Sequence, residues 1–307
     1  MSNWTVADTP DQSGRAAVVT GANSGLGYEI TKGLAERGAE VVLACRSTDR
    51  GESAKRDLER EVRDADLSVS ELDLADLDSV AAFAERFRES HDELDLLVNN
   101  AGVMALPRRE TADGFEMQFG VNHLGHFALT GHLLPALEAA DEPRVATMSS
   151  GVHERGRIDF EDLHGEREYD KWEAYAQSKL ANLLFAYELD RRHEAVTGVG
   201  AHPGYAATNL QTAGPEMAGS TLRKVGMQVA NAVFAQDAAT GALPMLYAAT
   251  MPDVRGGEYY GPAGFLGMRG GPERQRSSGR SYDREAARRL WDVSEDLTGV
   301  SYLSAEN

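Results

Sequence analysis

The feature that most constrains the fold is an alternation of short apolar runs with longer amphipathic segments along the first two thirds of the chain. The runs AAVVT at 16–20 and EVVLAC at 40–45 are typical of strands that are buried on both faces. Segments with helical periodicity, such as 26–37 and 79–88, separate these runs. Because neighbouring parallel strands require crossover connections, this order predicts a doubly wound α/β fold with a parallel sheet.

The same pattern predicts the boundaries of the elements. Seven strands are expected, at 15–20, 40–45, 67–74, 94–102, 144–150, 197–204 and 256–262. Helices are expected at 26–37, 52–63, 79–88, 172–185, 236–250 and 283–296, with 113–137 as one long helix or a broken pair. We find no linker or repeat, which favours one Rossmann-type domain over 15–307 after a polar tail at 1–14. The segment at about 205–235 follows the sixth strand and is a candidate lid over the substrate.

Composition excludes several classes of function. The net charge is −18, with 49 acidic against 31 basic residues, which argues against binding to nucleic acid or to anionic membranes. The acid excess suits a protein kept soluble in high salt, so we also hypothesise a halophilic protein. The one cysteine, Cys45, excludes an internal disulfide and a cysteine-based metal site, and no metal is expected. Because the N-terminus lacks a basic start and an apolar segment, we expect a soluble, cytoplasmic protein.

A tyrosine and a lysine four residues apart are the first candidates for chemistry. On the helix predicted at 172–185, Tyr175 and Lys179 share one face. An adjacent ammonium stabilises phenolate and should lower the pKa of the tyrosine, which would suit proton transfer to or from a substrate oxygen. A surface tyrosine beside a solvated lysine has the same spacing, so the pair alone does not decide between the two interpretations.

Glycines follow the first predicted strand and precede the first helix. A dinucleotide pyrophosphate would meet the helix N-terminus at such a turn, which here contains Gly21, Asn23, Ser24, Gly25, Leu26 and Gly27. The tip of the second strand carries Arg46 rather than an acidic residue. An arginine there accommodates the 2′-phosphate of NADP, so NADP(H) is predicted in preference to NAD.

These motifs together resemble the classical short-chain dehydrogenase/reductase family. The resemblance spans 15–208 and rests on TGANSGLG at 20–27, NNAG at 99–102, MSS at 148–150, YxxxK at 175–179 and HPG at 202–204. Within the family, the stretch 156–189 looks most like the group of retinol dehydrogenases and WW-domain oxidoreductases. The 25 residues from Ser150 to Tyr175 exceed the spacing usual in the family at large, and we expect this insertion to border the substrate entrance.

The resemblance implies roles for individual residues. Tyr175 would be the general acid/base, and Lys179 would lower its pKa and bind the nicotinamide ribose. Ser150 would bond the substrate oxygen, with Ser149 as the alternative because the double serine leaves the register open by one. Asn122 would hold a water that passes protons to Lys179. The remaining implied cofactor contacts are Asp73, Leu74, Asn99, Ala101, Gly102, Pro203, Gly204 and Thr208.

The function implied is an NADP-dependent interconversion of a small alcohol and a carbonyl compound. A protein that binds NADP as a sensor or scaffold without catalysis is an alternative, as is an epimerase or dehydratase of the extended branch of the family. We interpret His123, His126 and His132 as ordinary helix residues, whereas His153 borders the predicted cleft and could touch substrate. A homo-oligomer, dimer or tetramer, is possible, with the Tyr175 helix as a candidate interface.

Overall fold

One sheet of eight strands forms the centre of the molecule. The computed structural model describes residues 4–204, 237–264, 267 and 269–302. The strands are β1 Ala16–Thr20, β2 Glu40–Cys45, β3 Asp66–Glu71, β4 Leu96–Asn99, β5 Arg144–Met148, β6 Thr197–Ala201, β7 Tyr259–Pro262 and β8 Pro272–Gln275. Their order is β3-β2-β1-β4-β5-β6-β7-β8. Strands β1 to β7 are parallel, and β8 pairs antiparallel with β7.

The predicted helices lie between these strands. They are α1 Gly25–Glu36, α2 Thr48–Glu61, α3 Leu77–Ser90, α4 Met117–Phe119, α5 Gly125–Ala139, α6 Lys171–Arg192, α7 Ala238–Thr250 and α8 Arg284–Thr298. Short polar side chains mark several starting points: Ser47, Asp76 and Asp170 each accept a backbone N–H bond at the beginning of α2, α3 and α6. Such caps satisfy N–H groups that have no partner within the helix.

Helices cover both faces of the sheet, as expected for a doubly wound fold. On one face, α1 packs against β1 and β2 and α7 packs against β5, β6 and β7, through residues such as Ile30, Leu34 and Leu246. On the other face, α3 and α5 pack through Phe83 and Phe127. The central strands are buried on both sides because their residues are apolar in succession rather than alternating with polar ones.

The eighth strand corrects the predicted count of seven. In Pro272–Gln275, the sequence PERQ has two exposed residues, Glu273 and Arg274. It therefore lacks the apolar run or alternation by which a strand is recognised. Its pairing with the edge strand β7, rather than its own hydrophobicity, makes it a strand. An antiparallel edge strand on an otherwise parallel sheet is a common arrangement.

The segment predicted as a helix from 113 begins later and is broken. Gly114 has φ +84° in a turn, and the helical residues begin at Met117. Between α4 and α5, Gly120–Leu124 forms a π-helical turn. π-helical turns inside helices are frequent at functional sites, and this one contains Asn122.

Helix α6 is enclosed within the chain. Its residues 175–189 are all buried. Helix α8 packs over α6 and α5 through Trp291, whose ring centroid lies 5.8 Å from that of Phe185 and 5.2 Å from that of Phe127. These residues of α6 therefore have no exposed face.

The position where the strand order reverses places the candidate site. Strand β1 lies between β2 and β4, so the chain moves outward to β3 and then returns to the other side of β1. Ligands of such sheets bind in the crevice beyond the carboxyl ends of the strands at this point. Among the described residues, no helix is both long and apolar enough to span a membrane.

Candidate active site

The glycine turn lies at the crevice between β1 and β4. Gly21 and Gly25 adopt φ +67° and +58°, a region that glycine occupies without strain. Ser24 precedes α1 without a side-chain cap bond, so the first N–H groups of the helix remain available to a ligand. Together with the positive end of the helix dipole, such groups favour an anionic phosphate. The residues at this turn therefore fit a dinucleotide pyrophosphate.

The NNAG segment after β4 fixes the glycine turn. The Thr20 hydroxyl accepts hydrogen bonds from the backbone N–H groups of Asn100 and Ala101, both at 2.9 Å. The side-chain amide of Asn100 donates to the Thr20 carbonyl at 2.8 Å. Asn99 points elsewhere, since its buried amide donates to Thr130 at 3.2 Å. Sequence reasoning assigned roles to Asn99 and Ala101 but missed those of Thr20 and Asn100, although both stand within the quoted motifs.

Gly27 makes the closest approach in the turn, and its replacement is expected to damage both folding and cofactor binding. A Cβ at Gly27 would lie 2.3 Å from the carbonyl oxygen of Gly21 and 2.7 Å from the amide nitrogen of Asn100. Backbone cannot yield as a side chain can, and overpacking of this kind costs about 1–3 kcal/mol. We expect Gly27→Ala to lower the melting temperature and to weaken binding of a reduced nicotinamide dinucleotide at least about tenfold, as measured by nicotinamide fluorescence.

Gly33 on the same helix provides the matched control. A Cβ there would meet the end of the Leu246 side chain at 2.7 Å, which can rotate away. Gly33→Ala is therefore expected to retain dinucleotide binding. Equal losses of binding in the two variants would show that the close approach at Gly27 is not what shapes the cofactor site.

Tyr175 and Lys179 lie one turn apart on α6, as the spacing predicted. The Lys179 ammonium is 5.9 Å from the centre of the Tyr175 ring, and it donates to the Met148 carbonyl at 3.1 Å. Both side chains are buried. The pair is therefore not a solvated surface tyrosine and lysine. Its neighbour Asn182 donates to the same Met148 carbonyl at 2.9 Å, which fixes α6 to the end of β5.

The expected direction of the tyrosine pKa is wrong in this structure. Burial raises the pKa of Tyr175 to about 12, and the nearby Ser150 hydroxyl opposes this only in part. Burial also lowers the pKa of Lys179 to about 7. Both shifts follow because a buried site disfavours the charged form of each group. At neutral pH the phenol of Tyr175 therefore carries its proton.

The two serines after β5 have different partners. The Ser149 hydroxyl is buried and donates to the Lys179 backbone carbonyl at 2.8 Å. Ser150 is only half-buried, and its hydroxyl lies close enough to the Tyr175 phenol to lower the pKa of that phenol. Successive residues of an extended segment point in opposite directions, which explains the difference. Ser150 is thus the serine that shares a site with the phenol.

Asn122 holds the loop that follows β4. Its side-chain oxygen accepts from the Val103 N–H at 2.7 Å, and its amide donates to the Val103 carbonyl and to the Ser178 hydroxyl, both at 2.9 Å. A Cβ on Gly102 would lie 2.9 Å from that oxygen and 3.4 Å from the Lys179 ammonium. Asn122, Gly102 and Lys179 therefore meet at one point. The part played by a water at Asn122 stays a prediction.

Arg46, Asp73 and Leu74 follow neighbouring strands on the far side of the glycine turn. Arg46 is exposed at the tip of β2 and makes no ion pair with another described residue. Asp73 follows β3, and its carboxylate accepts from the Ala75 N–H at 3.0 Å. Asp76, not Asp73, caps α3. Leu74 is buried, and its carbonyl approaches Gly125 on α5.

The turn after β6 contains Pro203 and Gly204 at the same edge of the sheet. Gly204 has φ +66°, and its N–H donates to His202 Nδ1 at 3.2 Å. Thr208 and the predicted lid at about 205–235 lie outside the described residues. The structure thus brings together the glycine turn, the residues after β4, Asn122, Ser150, Tyr175 and Lys179, with Arg46 and Asp73 farther along the edge.

Of the histidines on α5 and the preceding π-helical turn, His123 and His126 are buried and have definite partners, whereas His132 is half-buried. His126 Nε2 lies 2.9 Å from the Thr20 hydroxyl, and its Nδ1 lies 3.1 Å from the Asn122 carbonyl. His123 Nε2 lies 2.8 Å from the Ser294 hydroxyl. Burial lowers the pKa of each to about 3. His126 thus links the glycine turn to the π-helical turn, which the interpretation of an ordinary helix residue did not include.

Two comparisons with known proteins extend these observations. The model of the family described as short chain dehydrogenase matches residues 15–218. Retinol dehydrogenase 14 from Mus musculus is 40% identical over 301 residues, covering 94% of this chain and 86% of that protein. Retinol dehydrogenase 11 from Mus musculus is 41% identical over 291 residues, covering 94% and 87%.

Solved structures share the fold. An uncharacterised protein from Mycobacterium paratuberculosis is 42% identical with a TM-score of 0.81, covering 99% of this chain and 100% of that one. A crystal structure described as a short chain dehydrogenase from Shigella flexneri 2a, complexed with NADP, has a TM-score of 0.62 at 20% identity, covering 82% and 98%. The second similarity is one of fold alone.

Proposed function

Since this chain belongs to the short-chain dehydrogenase family, we propose that it is an NADP-dependent oxidoreductase that interconverts a small alcohol and a carbonyl compound. The observation that carries the proposal is that the Ser150 hydroxyl lies close enough to the Tyr175 phenol to lower its pKa, in a buried site that also holds Lys179. Two hydroxyls that share one position beside an ammonium can bind a single substrate oxygen. They are the groups that a carbonyl reduction requires.

Each residue of the site has a proposed task. Tyr175, protonated at neutral pH, would give its proton to the oxygen of the reduced carbonyl and take it back from an alcohol. Ser150 would donate a hydrogen bond to the same oxygen, where negative charge develops toward the transition state. Lys179 and Asn122 would hold the site and pass protons toward Tyr175. The bound dinucleotide supplies the hydride chemistry.

The dinucleotide would be held along the edge of the sheet. The glycine turn Gly21–Gly27 and the N-terminus of α1 would hold its pyrophosphate, and Asn99, Ala101 and Gly102 would border its adenosine side. Asp73 and Leu74 would lie near the adenine. Pro203, Gly204 and Thr208 would meet the nicotinamide. These assignments rest on the positions of the residues along the crevice and on the motifs of the family.

Arg46 is proposed to select NADP over NAD. It is an exposed guanidinium at the tip of β2, beside the crevice, and no acidic residue occupies that tip. A hydrogen bond between charged groups contributes about 1.5–3 kcal/mol. We therefore expect Arg46→Ala to weaken NADPH binding roughly tenfold to a hundredfold, while NADH binding is unchanged, in fluorescence titrations of both nucleotides.

Arg60 supplies a control of equal charge. It stands at the other end of α2, where it pairs with Asp57 at 2.7 Å. Arg60→Ala is expected to leave both affinities unchanged. An equal loss of NADPH binding in the two variants would show that Arg46 acts only through the net charge of the protein. Equal binding of NADPH and NADH by the wild type would refute the proposed preference for NADP.

Two other functions remain to be separated by experiment. A sensor or scaffold would bind NADPH without turnover, and an extended-branch epimerase or dehydratase would return its nucleotide unchanged. The TGxxxGxG spacing at 20–27 and the NNAG motif favour the proposed oxidoreductase over that branch. A non-catalytic binder would have no need of Ser150, Tyr175 and Lys179 together.

The deciding experiment measures binding and turnover in one preparation. NADPH and NADH are titrated by fluorescence, and consumption of NADPH at 340 nm is then followed with a panel of aldehydes and ketones. We expect NADPH binding and turnover of at least one carbonyl compound. If the protein binds NADPH but turns over neither the carbonyl compounds nor the matching alcohols with NADP, the sensor is favoured. If it binds neither nucleotide, the proposal is refuted.

The conditions of the assay follow from two further proposals. We propose that the excess of 49 acidic over 31 basic residues is an adaptation to high salt, so the titration is done in molar salt and repeated in dilute buffer. We also propose a cytoplasmic protein without membrane or nucleic-acid partners. If the wild type forms a dimer or tetramer in solution, the buried state of residues 175–189 predicts an interface other than a face of α6.

A further inference from the structure

Two buried histidines lie behind the candidate site and contact its two sides. His153 stands in the short 3-10 helix Gly151–Glu154 that begins directly after Ser150. His202 stands in the turn after β6, directly before Pro203 and Gly204. Their exposed fractions are 1% and 7%. The Tyr259 ring lies between them, at 5.3 Å from the ring of His153 and 5.2 Å from that of His202.

The partners of His153 determine which nitrogen carries its proton. The backbone N–H of Ser278 can only donate, and it lies 3.0 Å from His153 Nε2. Nε2 must therefore accept, which leaves the proton on Nδ1. His153 Nδ1 lies 2.7 Å from the backbone carbonyl of Ser150, to which it donates. His153 thus links the segment after β8 to the residue whose hydroxyl meets Tyr175.

The partners of His202 determine the opposite tautomer. Gly204 donates its N–H to His202 Nδ1 at 3.2 Å, so Nδ1 accepts. Gln275 donates its amide to the Pro262 carbonyl at 2.8 Å, which turns its oxygen toward His202 Nε2 at 3.0 Å. Nε2 therefore carries the proton. Burial lowers the pKa of both His153 and His202, which agrees with neutral rings.

We infer that His153 and His202 are positioning residues with separate tasks, His153 orienting Ser150 for the substrate and His202 holding the Pro203–Gly204 turn for the cofactor. The inference rests on the proposed function. Neither imidazole needs to touch substrate, because each acts through one backbone group of a neighbouring site residue. A Cβ on Gly261 would lie 1.9 Å from His202 Nε2, so only glycine at 261 leaves room for this ring.

Asparagine and glutamine variants separate the two nitrogens of each ring. An asparagine amide can replace Nδ1 and a glutamine amide can replace Nε2. His153→Asn retains a donor for the Ser150 carbonyl, whereas His153→Gln retains only an acceptor for Ser278. We expect His153→Gln to lower kcat about tenfold to a hundredfold, as small misplacements of reacting groups do, with NADPH binding unchanged. His153→Asn is expected to restore most of kcat.

At His202 the expected pattern concerns cofactor binding. His202→Asn retains an acceptor for the Gly204 N–H, and His202→Gln does not. We expect His202→Gln to weaken NADPH binding about tenfold in fluorescence titrations, and His202→Asn to bind nearly as the wild type does. A merely structural role would lower the melting temperature of each pair of variants without separating Asn from Gln.

The outcomes distinguish the inference from the function on which it rests. If the wild type turns over a carbonyl compound but the Asn and Gln variants are equal at both positions, the inference is refuted and the proposed function stands. If the wild type neither binds NADPH nor turns over, the proposed function is refuted, and the inference with it. Loss of kcat on His153→Gln together with loss of binding on His202→Gln would establish the two tasks.

Discussion

Tyr175→Phe is expected to lose nearly all turnover while it binds NADPH as the wild type does. The change removes the hydroxyl near Ser150 and leaves the buried ring in place. General acid catalysis contributes about a hundredfold to ten thousandfold, so the residual kcat should fall by that factor. The measurement is the initial rate of NADPH oxidation with the best carbonyl substrate, together with a fluorescence titration of the cofactor.

The control for this prediction stands on the same helix. Tyr187 is buried on α6, and its hydroxyl lies 2.9 Å from that of Ser277, away from the candidate site. Tyr187→Phe also removes a tyrosine hydroxyl from α6, here one with a hydrogen-bond partner, and we expect it to cost about 1 kcal/mol of stability. It should keep its activity. If Tyr175→Phe turned over at nearly the wild-type rate, the proposed mechanism would be wrong.

The protonation state of Tyr175 indicates which direction of the reaction should be easier to measure. Because burial raises the pKa of Tyr175 to about 12, loss of its proton near pH 7 is not the limit on its use as an acid. Burial also lowers the pKa of Lys179 to about 7, so that near neutral pH this lysine is uncharged in part of the molecules. Reduction of a carbonyl, in which the tyrosine begins protonated, is therefore the direction that we expect to be measured more easily.

The central sheet could be predicted because its strands are apolar in succession. Val18, Val42 and Leu97 occupy the same register across β1, β2 and β4. Each stands in a short apolar run whose exposure to water would be unfavourable. The strand β8 could not be predicted, since Glu273 and Arg274 are exposed and only pairing with β7 defines it. Apolar patterns in a sequence indicate which residues are buried, and an edge strand with exposed side chains has few buried residues to produce such a pattern.

The candidate site also has parts that the sequence could predict and parts that it could not. Spacing placed Tyr175 and Lys179 on one face of a helix, because helical geometry is local. The pKa of Tyr175 depends on how deeply the pair is buried, and that follows from the packing of distant elements rather than from the interval of four residues. His153 and His202 each have one distant partner, Ser278 and Gln275, which no local pattern connects to them.

The register of the two serines is the other point that sequence left open, and it leads to the second large prediction. Both serines follow β5, and either could be opposite Tyr175 in the sequence MSS. In the structure, the hydroxyl of Ser149 donates to the Lys179 carbonyl, and that of Ser150 lies close enough to the phenol to lower its pKa. A substrate oxygen beside Tyr175 would therefore receive its second hydrogen bond from Ser150.

Ser150→Ala is expected to lower kcat about a hundredfold to a thousandfold, the usual loss when one donor to a developing oxyanion is removed. Its melting temperature should stay near that of the wild type, because Ser150 is half-buried. Ser149→Ala should show the reverse, with activity largely kept and about 1 kcal/mol of stability lost, since it removes the bond to the Lys179 carbonyl. Rates and thermal unfolding of the two variants decide the register.

A large loss of kcat in Ser149→Ala with none in Ser150→Ala would assign the substrate contact to Ser149. The hydroxyl of Ser150 would then serve only to begin the helix at Gly151–Glu154.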